Sequence, residues 1–345
     1  MKNKINTNDV TSGFDYLRYF LSFSVIFIHS FGVVSGGDFA VNFILNNNLH
    51  YLTLPVLPMF FALSGFLVTS SLLRSRNIMI FLWMRVIRIY PALMVEVILS
   101  AILLGAILTS NSLPDYFSNS VFYEYLWNIV GYVHYKLPGV FENNPVKGVV
   151  NISLWTIPYE LECYIGITIF SLLGLMKKPR LSLFILIALS VMHCFYVKIN
   201  IQESIPTVAL GGSSLILFFL AGVCINLNKD IIPHSWLLFF TTSVVGFYLL
   251  SQPLYSGFAA LPIAYTTIWL GLLKPKKVPL LMGGDYSYGS YLYAFPIQQM
   301  MFQLTDVGKI FLGNFILSLS ITLIFSVFSW HFIEKPMLKF KSIFS

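Results

Sequence analysis

Residues 14–36, FDYLRYFLSFSVIFIHSFGVVSG, are apolar for long enough to cross a bilayer, yet they carry Arg18 near the start and His29 further in, with ten residues between them. About 20 apolar residues cross the roughly 30 Å hydrocarbon core. An ionisable side chain inside it is costly enough to need a reason. At about 100° per residue, eleven steps make roughly three turns, so both side chains point the same way, about 16 Å apart along the axis. Asp15, Ser22 and Gly36 fall near the same stripe, which should face a bundle interior or a wet cavity, because lipid offers polar atoms no partner.

The remaining chain follows the same apolar pattern. Of 345 residues, 57% are hydrophobic and 10% charged, with a mean hydropathy of +0.78, where soluble domains carry about 25% charge. Further apolar runs fall at roughly 52–72, 88–108, 151–176, 181–198, 211–227, 235–251, 255–273, 286–304 and 309–333. The reading is an all-α polytopic membrane protein with about ten transmembrane helices. The first run follows Lys2 and Lys4 like a signal peptide, but no small-residue cleavage site comes after it, so it reads as a retained helix. Cys163, Cys194 and Cys224 lie inside the runs without metal-type spacing, which implies neither a disulfide framework nor a bound metal.

A net charge of +7 would point a soluble protein toward nucleic acid; here the basic residues gather in particular loops instead. With the amino terminus inside, sixteen Lys and Arg, among them Lys2, Lys4, Arg76, Arg85, Arg88, Lys277 and Lys341, fall on the cytoplasmic side. Lys136, Lys147, Lys198 and Lys309 fall outside, and Arg18 is intramembrane. The positive-inside rule therefore puts both termini in the cytoplasm. The one long connection, about 109–150, then lies outside, where it reads as a binding element or as interfacial anchoring. No internal repeat of the transporter kind is visible.

Three constellations stand out. In FLWMRVIRIYPAL (81–93), Arg85 and Arg88 sit one turn apart, either as a forked phosphate site or as snorkelling anchors. In SLWTIPYELECYIGI (153–167), Glu160 and Glu162 enter the apolar stretch, and Ser153, Thr156, Glu160 and Tyr164 share one face. An intramembrane glutamate is a site candidate or a structural carboxylate met by a neighbouring helix. In GDYSYGSYLYAFPIQQ (284–299), Tyr286, Tyr288, Tyr291 and Tyr293 read as an aromatic belt at a helix end. Of the other histidines, only His50 and His134 lie on outer loops, where substrate could reach them.

Taken in order, the Arg18-to-His29 pattern, PMFFALSGFLV (58–68), RVIRIYP (85–91), SLWTIPYELECY (153–164), DYSYGSYLYAFPIQQ (285–299) and FIEKP (332–336) resemble acyltransferase family 3 over about 12–340. The resemblance is strongest to the O-antigen and lipopolysaccharide O-acetyltransferases. It implies a multi-pass enzyme of the bacterial inner membrane that takes acetyl from acetyl-CoA and passes it to a glycan or lipid-linked glycan, without metal or nucleic acid. Helix depths at about 1.5 Å per residue fit that role: His29, as general base, and Glu160, orienting it or the acceptor, are expected at comparable levels from opposite sides, with Arg18, Arg85 and Arg88 clustered near the inner face on the coenzyme A phosphates. The histidine that many relatives carry in the 285–299 motif is replaced here by Tyr293-Ala294-Phe295, and Leu161 separates Glu160 from Glu162. The chain reads as a single membrane domain, 1–345, with no fused soluble domain. A transporter or flippase of a lipid-linked glycan, which also needs charge in a wet core, is the alternative.

The charge partition predicts that reporter fusions after residues 75, 178, 230 and 276 read as cytoplasmic and those near 45, 140, 203 and 306 as external. An external signal at 178 would reverse the orientation.

Overall fold

A computed structural model describes residues 12–75, 77–200, 211–276, 278 and 283–340. Lys2, Lys4, Arg76, Lys277 and Lys341 of the basic set lie outside the described residues, which contain no β-strand. Each predicted run holds a helix, because a backbone surrounded by hydrocarbon must satisfy its hydrogen bonds within its own segment. In chain order these are α1 (Ser12–Ser35), then the short α2 (Gly37–Asn46), α3 (Val56–Arg74), α4 (Ile78–Leu108), α5 (Ile157–Leu172), α6 (Pro179–Asn200), α7 (Gly212–Leu227), α8 (Trp236–Leu250), α9 (Ala260–Gly271), α10 (Ser287–Leu304) and α11 (Phe311–Leu338). Five of them, with α3 counted from His50, are long and apolar enough to cross a membrane. The chain is thus a helical, multi-pass membrane protein. The predicted third span starts late: α4 begins at Ile78 and runs through Pro91, so Arg85 and Arg88 lie well inside it.

The described residues form two compact units. The first takes in Met1–Leu21, Ile44–Phe81 and Tyr159–Leu280. Within it α3 and α7 touch backbone to backbone, Gly65 against the Phe219 carbonyl and Gly222 against the Ala62 carbonyl. Glycine permits this approach because a Cβ at either site would strike main chain. Asn226 then donates to Phe66 O at 2.8 Å and Ser70 Oγ at 2.6 Å. Residue numbers rise together across these contacts, so the two helices are parallel. The start of α1 is pinned to the end of α9: Gly13 N donates to Leu273 O, Ser12 Oγ to Pro275 O and Tyr16 Oη to Lys276 O.

The second unit takes in Ser22–Phe43, Leu82–Pro158 and Leu281–Ser345. Here α10 and α11 form an antiparallel pair, with Ser290 and Ser326 hydroxyls 3.1 Å apart beside Gly289. The 109–150 connection is not the structureless loop its length suggested. It holds helices Leu113–Ser118 and Ser120–Leu126, N-capped by Ser112 and Asn119. Asn128 braces the following turn by donating to Tyr125 O and His134 O and accepting from His134 N. The connection is also fastened to α4 where that helix widens into a π-turn, Leu99–Leu104. Tyr116 Oη donates to Ala101 O at 2.6 Å, in a space left by Gly105. Burial pushes the Tyr116 phenol up, so the hydroxyl keeps the proton it donates.

Tyr116→Phe should cost about 1–3 kcal/mol by leaving a buried carbonyl unmet, read as a lower melting temperature in detergent. An unchanged melting temperature would show that the tie bears no load.

Candidate functional site

The second unit brings His29 of α1 against α10. The half-buried imidazole meets Phe295 edge-on, with ring centroids 5.3 Å apart and planes at 88°. Its Nδ1 is buried without a hydrogen-bond partner among the described residues, which leaves Nε2 as the nitrogen available to a reactant. One turn beyond Phe295 on α10, Gln298 Nε2 donates to Ile26 O at 2.6 Å and Ser30 Oγ at 2.7 Å, on either side of His29.

Arg88 sits in a fork of two carboxylates in the same unit. Its Nη2 donates to Asp285 Oδ2 at 2.6 Å and its Nη1 to Glu334 Oε2 at 3.2 Å. The guanidinium also lies over the rings of Tyr288 and Trp330, 5.7 and 5.8 Å from their centroids. Behind the fork, Ser329 Oγ donates to Glu334 Oε1 at 3.1 Å and Tyr293 Oη to Ser329 Oγ at 3.3 Å. Ser287 Oγ holds the far side of Asp285 at 2.6 Å. Glu334 closes a π-turn, Trp330–Glu334, whose extra residue carries the carboxylate inward to 2% exposure. RVIRIYP, DYSYGSYLYAFPIQQ and FIEKP, three segments far apart in sequence, therefore meet on one cation. Arg85, one turn earlier on α4, is half-buried.

The tyrosine run is not a belt. Tyr288 Oη donates to Ile89 O, Tyr291 Oη to Ser153 O and Tyr293 Oη to Ser329, while Tyr286 meets His331 Nε2 at 3.4 Å. Interface anchoring loses here to interior hydrogen bonding, since each hydroxyl finds a protein partner that lipid could not supply.

Glu96 was not foreseen as a site residue. It is 1% exposed on α4, and its Oε1 accepts from Ser100 Oγ at 2.8 Å and Asn151 Nδ2 at 2.9 Å. The same Asn151 amide nitrogen donates to Leu292 O at 2.9 Å. Asn151 Oδ1 accepts from Ser153 N at 3.0 Å, capping the 3-10 turn Ile152–Thr156 that leads into α5. The rule that marks a glutamate inside an apolar helix as a site candidate was the available signal.

In the first unit, Arg18 pairs with Asp15 one turn earlier on α1, Nη1 to Oδ1 at 3.0 Å. Glu160 on α5 is half-buried and accepts from the Tyr164 hydroxyl, while Glu162 is exposed. The shared face predicted for Glu160 and Tyr164 is thus a direct hydrogen bond. Of the two histidines expected on outer loops, His50 Nδ1 bonds Asn47 O at 2.7 Å and His134 Nδ1 stands 4.0 Å from Glu124.

The sequence profile of an acyltransferase domain family matches residues 11–331. The chain is 29% identical over 290 residues to an O-acetyl transferase of Shigella phage Sf6, covering 81% of this chain and 83% of that one. It is 26% identical over 367 residues to nodulation protein 10 of Rhizobium leguminosarum bv. viciae, covering 97% and 96%. It is 26% identical over 380 residues to a Bacillus subtilis (strain 168) protein provisionally named a peptidoglycan O-acetyltransferase, covering 98% and 56%. No solved structure matches the chain.

The fork predicts an asymmetry in stability. Removing one member of a buried ion pair costs about 3–5 kcal/mol, because it strands the other; Arg88→Gln should therefore be strongly destabilised. Arg88→Gln combined with Glu334→Gln should recover part of the loss. Equal unfolding temperatures for the single and double variants would dismiss the fork as a structural tie.

Proposed function

This chain belongs to acyltransferase family 3, and from that premise we propose that it transfers acetyl from cytoplasmic acetyl-CoA to a hydroxyl of a surface glycan such as O-antigen. The acceptor is met on the extracytoplasmic side of the bacterial inner membrane. Support for an O-linked product comes from the O-acetyl transferase name of the phage relative. The observation that carries the chemistry is His29, an imidazole on an apolar helix with one ring nitrogen buried and the other left for a reactant.

His29 takes the proton of the acceptor hydroxyl as its oxygen attacks the thioester carbonyl carbon. The C–S bond then breaks, and the proton passes from the imidazolium to the leaving coenzyme A thiolate, which regenerates the neutral base. Histidine suits both transfers because its ordinary pKa of about 6.5 lies close to neutral pH. Glu160 orients the imidazole or the acceptor by hydrogen bonding, with Tyr164 steadying its carboxylate. Arg18, Arg85 and Arg88 take the phosphates of the donor. Arg88 enters this duty with its charge already shared between Asp285 and Glu334, and Arg18 with its charge paired to Asp15.

Loss of a general base costs about 10²–10⁴ in rate. His29→Ala should therefore abolish acetylation of surface polysaccharide measured by mass spectrometry, while Glu160→Gln, which keeps size and one hydrogen bond, retains a trace. Full acetylation in His29→Ala would remove the mechanism.

A further inference from the structure

Gln298 is fully buried on α10, and its amide has only one tenable orientation. Its Nε2 faces the Ile26 carbonyl at 2.6 Å and the Ser30 hydroxyl at 2.7 Å. A carbonyl can only accept, so the nitrogen must lie on that side. Oε1 is thereby held on the opposite side, buried and without a hydrogen-bond partner among the described residues. The backbone beneath it is fixed as well: Asn314 Nδ2 donates to Gln298 O at 3.0 Å and to Gly308 O at 2.9 Å.

The two staple atoms belong to the turn of α1 that carries His29. Phe295, one turn before Gln298, is the residue against which the His29 ring rests. Nδ1 of that ring is likewise buried with no partner among the described residues, as is Asn314 Oδ1 on α11. For Nε2 to accept a proton, a neutral imidazole must carry its own hydrogen on Nδ1. One helix pair thus holds a buried N–H that needs an acceptor and a buried C=O that needs a donor. Catalytic hydrogen bonds are often long or misaligned without substrate and tighten when it binds.

We propose that Gln298 is the positioning residue for His29, accepting Nδ1–H through Oε1 and so reserving Nε2 for the acceptor proton. The proposal rests on the reading of His29 as base. No bond is made or broken at Gln298. The hydroxyl proton goes to Nε2 and on to the thiolate, while Nδ1–H stays shared with Oε1. A neutral amide fixes the tautomer without adding a second charge to an apolar interior.

The test uses full-length protein in nanodiscs with acetyl-CoA, labelled with ¹⁵N-histidine, the His29 resonances being identified by their loss in His29→Gln. The parent should display the tautomer protonated on Nδ1. Gln298→Leu should shift the population toward Nε2–H and lower kcat at least about tenfold, with KM for acetyl-CoA within about twofold. Parental kcat and tautomer in Gln298→Leu, alongside inactive His29→Ala, would overturn the positioning role and leave the base intact. Activity in His29→Ala would instead overturn the base. Should Gln298→Leu fail to insert, the parent spectrum decides alone: a ring protonated on Nε2 overturns the proposal.

Discussion

Hydrocarbon gives a polar group nothing to bond, so every one kept inside this protein must find its partner within the chain. In the second unit that constraint is met largely along α10. Tyr288 reaches Ile89 O, Ser290 meets Ser326, Tyr291 reaches Ser153 O, Tyr293 meets Ser329 and Gln298 staples α1. Just ahead of the helix, Asp285 holds Arg88. Each tie replaces a bond that water would otherwise supply, and together they fix where α1, α4 and α11 stand against α10. A helix that reads as a wet-ended aromatic span is in fact the hub of its unit.

Much of the architecture was legible because its cause is one-dimensional. A backbone in lipid must be helical, and a run of apolar residues says where, so the runs at 211–227 and 235–251 reappear as Gly212–Leu227 and Trp236–Leu250. What escaped is three-dimensional. Arg88 at helical spacing from Arg85 suggests a phosphate fork; that it also grips Asp285 and Glu334 depends on contacts 197 and 246 residues away. The π-turns at Leu99–Leu104 and Trp330–Glu334 leave no periodic signature, yet one offers a carbonyl to Tyr116 and the other delivers Glu334. Glu96 was visible as a charge in an apolar run and was passed over beside the better-patterned Glu160.

The proposed chemistry draws on both kinds of information. His29 and Glu160 were nominated by the cost of placing them in an apolar helix, an argument that needs no coordinates. What surrounds His29 needs them: Phe295 on the ring edge, Gln298 stapled to the turn that carries it, Nδ1 facing inward. The Arg88 fork is the other feature that coordinates alone supply. A cation shared between two carboxylates holds helices together at little gain for an incoming anion.

The residue after Gln298 points a different way. Gln299 donates to Val146 O at 2.7 Å and Val149 O at 2.8 Å, while Asn144 donates back to Gln299 Oε1 at 3.0 Å. Neighbouring glutamines therefore divide α10 between two clients, one gripping the helix of the proposed base and the other the segment that closes the long 109–150 connection. For anyone building chimaeras, that segment is not a detachable module. A donor sequence grafted over 137–150 must keep the backbone path that lays its carbonyls on Gln299 and supply the amide of Asn144, or the buried Gln299 is left unmet. By the same token, side chains at 146 and 149 are free to diversify while position 299 stays fixed, because it reads their main chain.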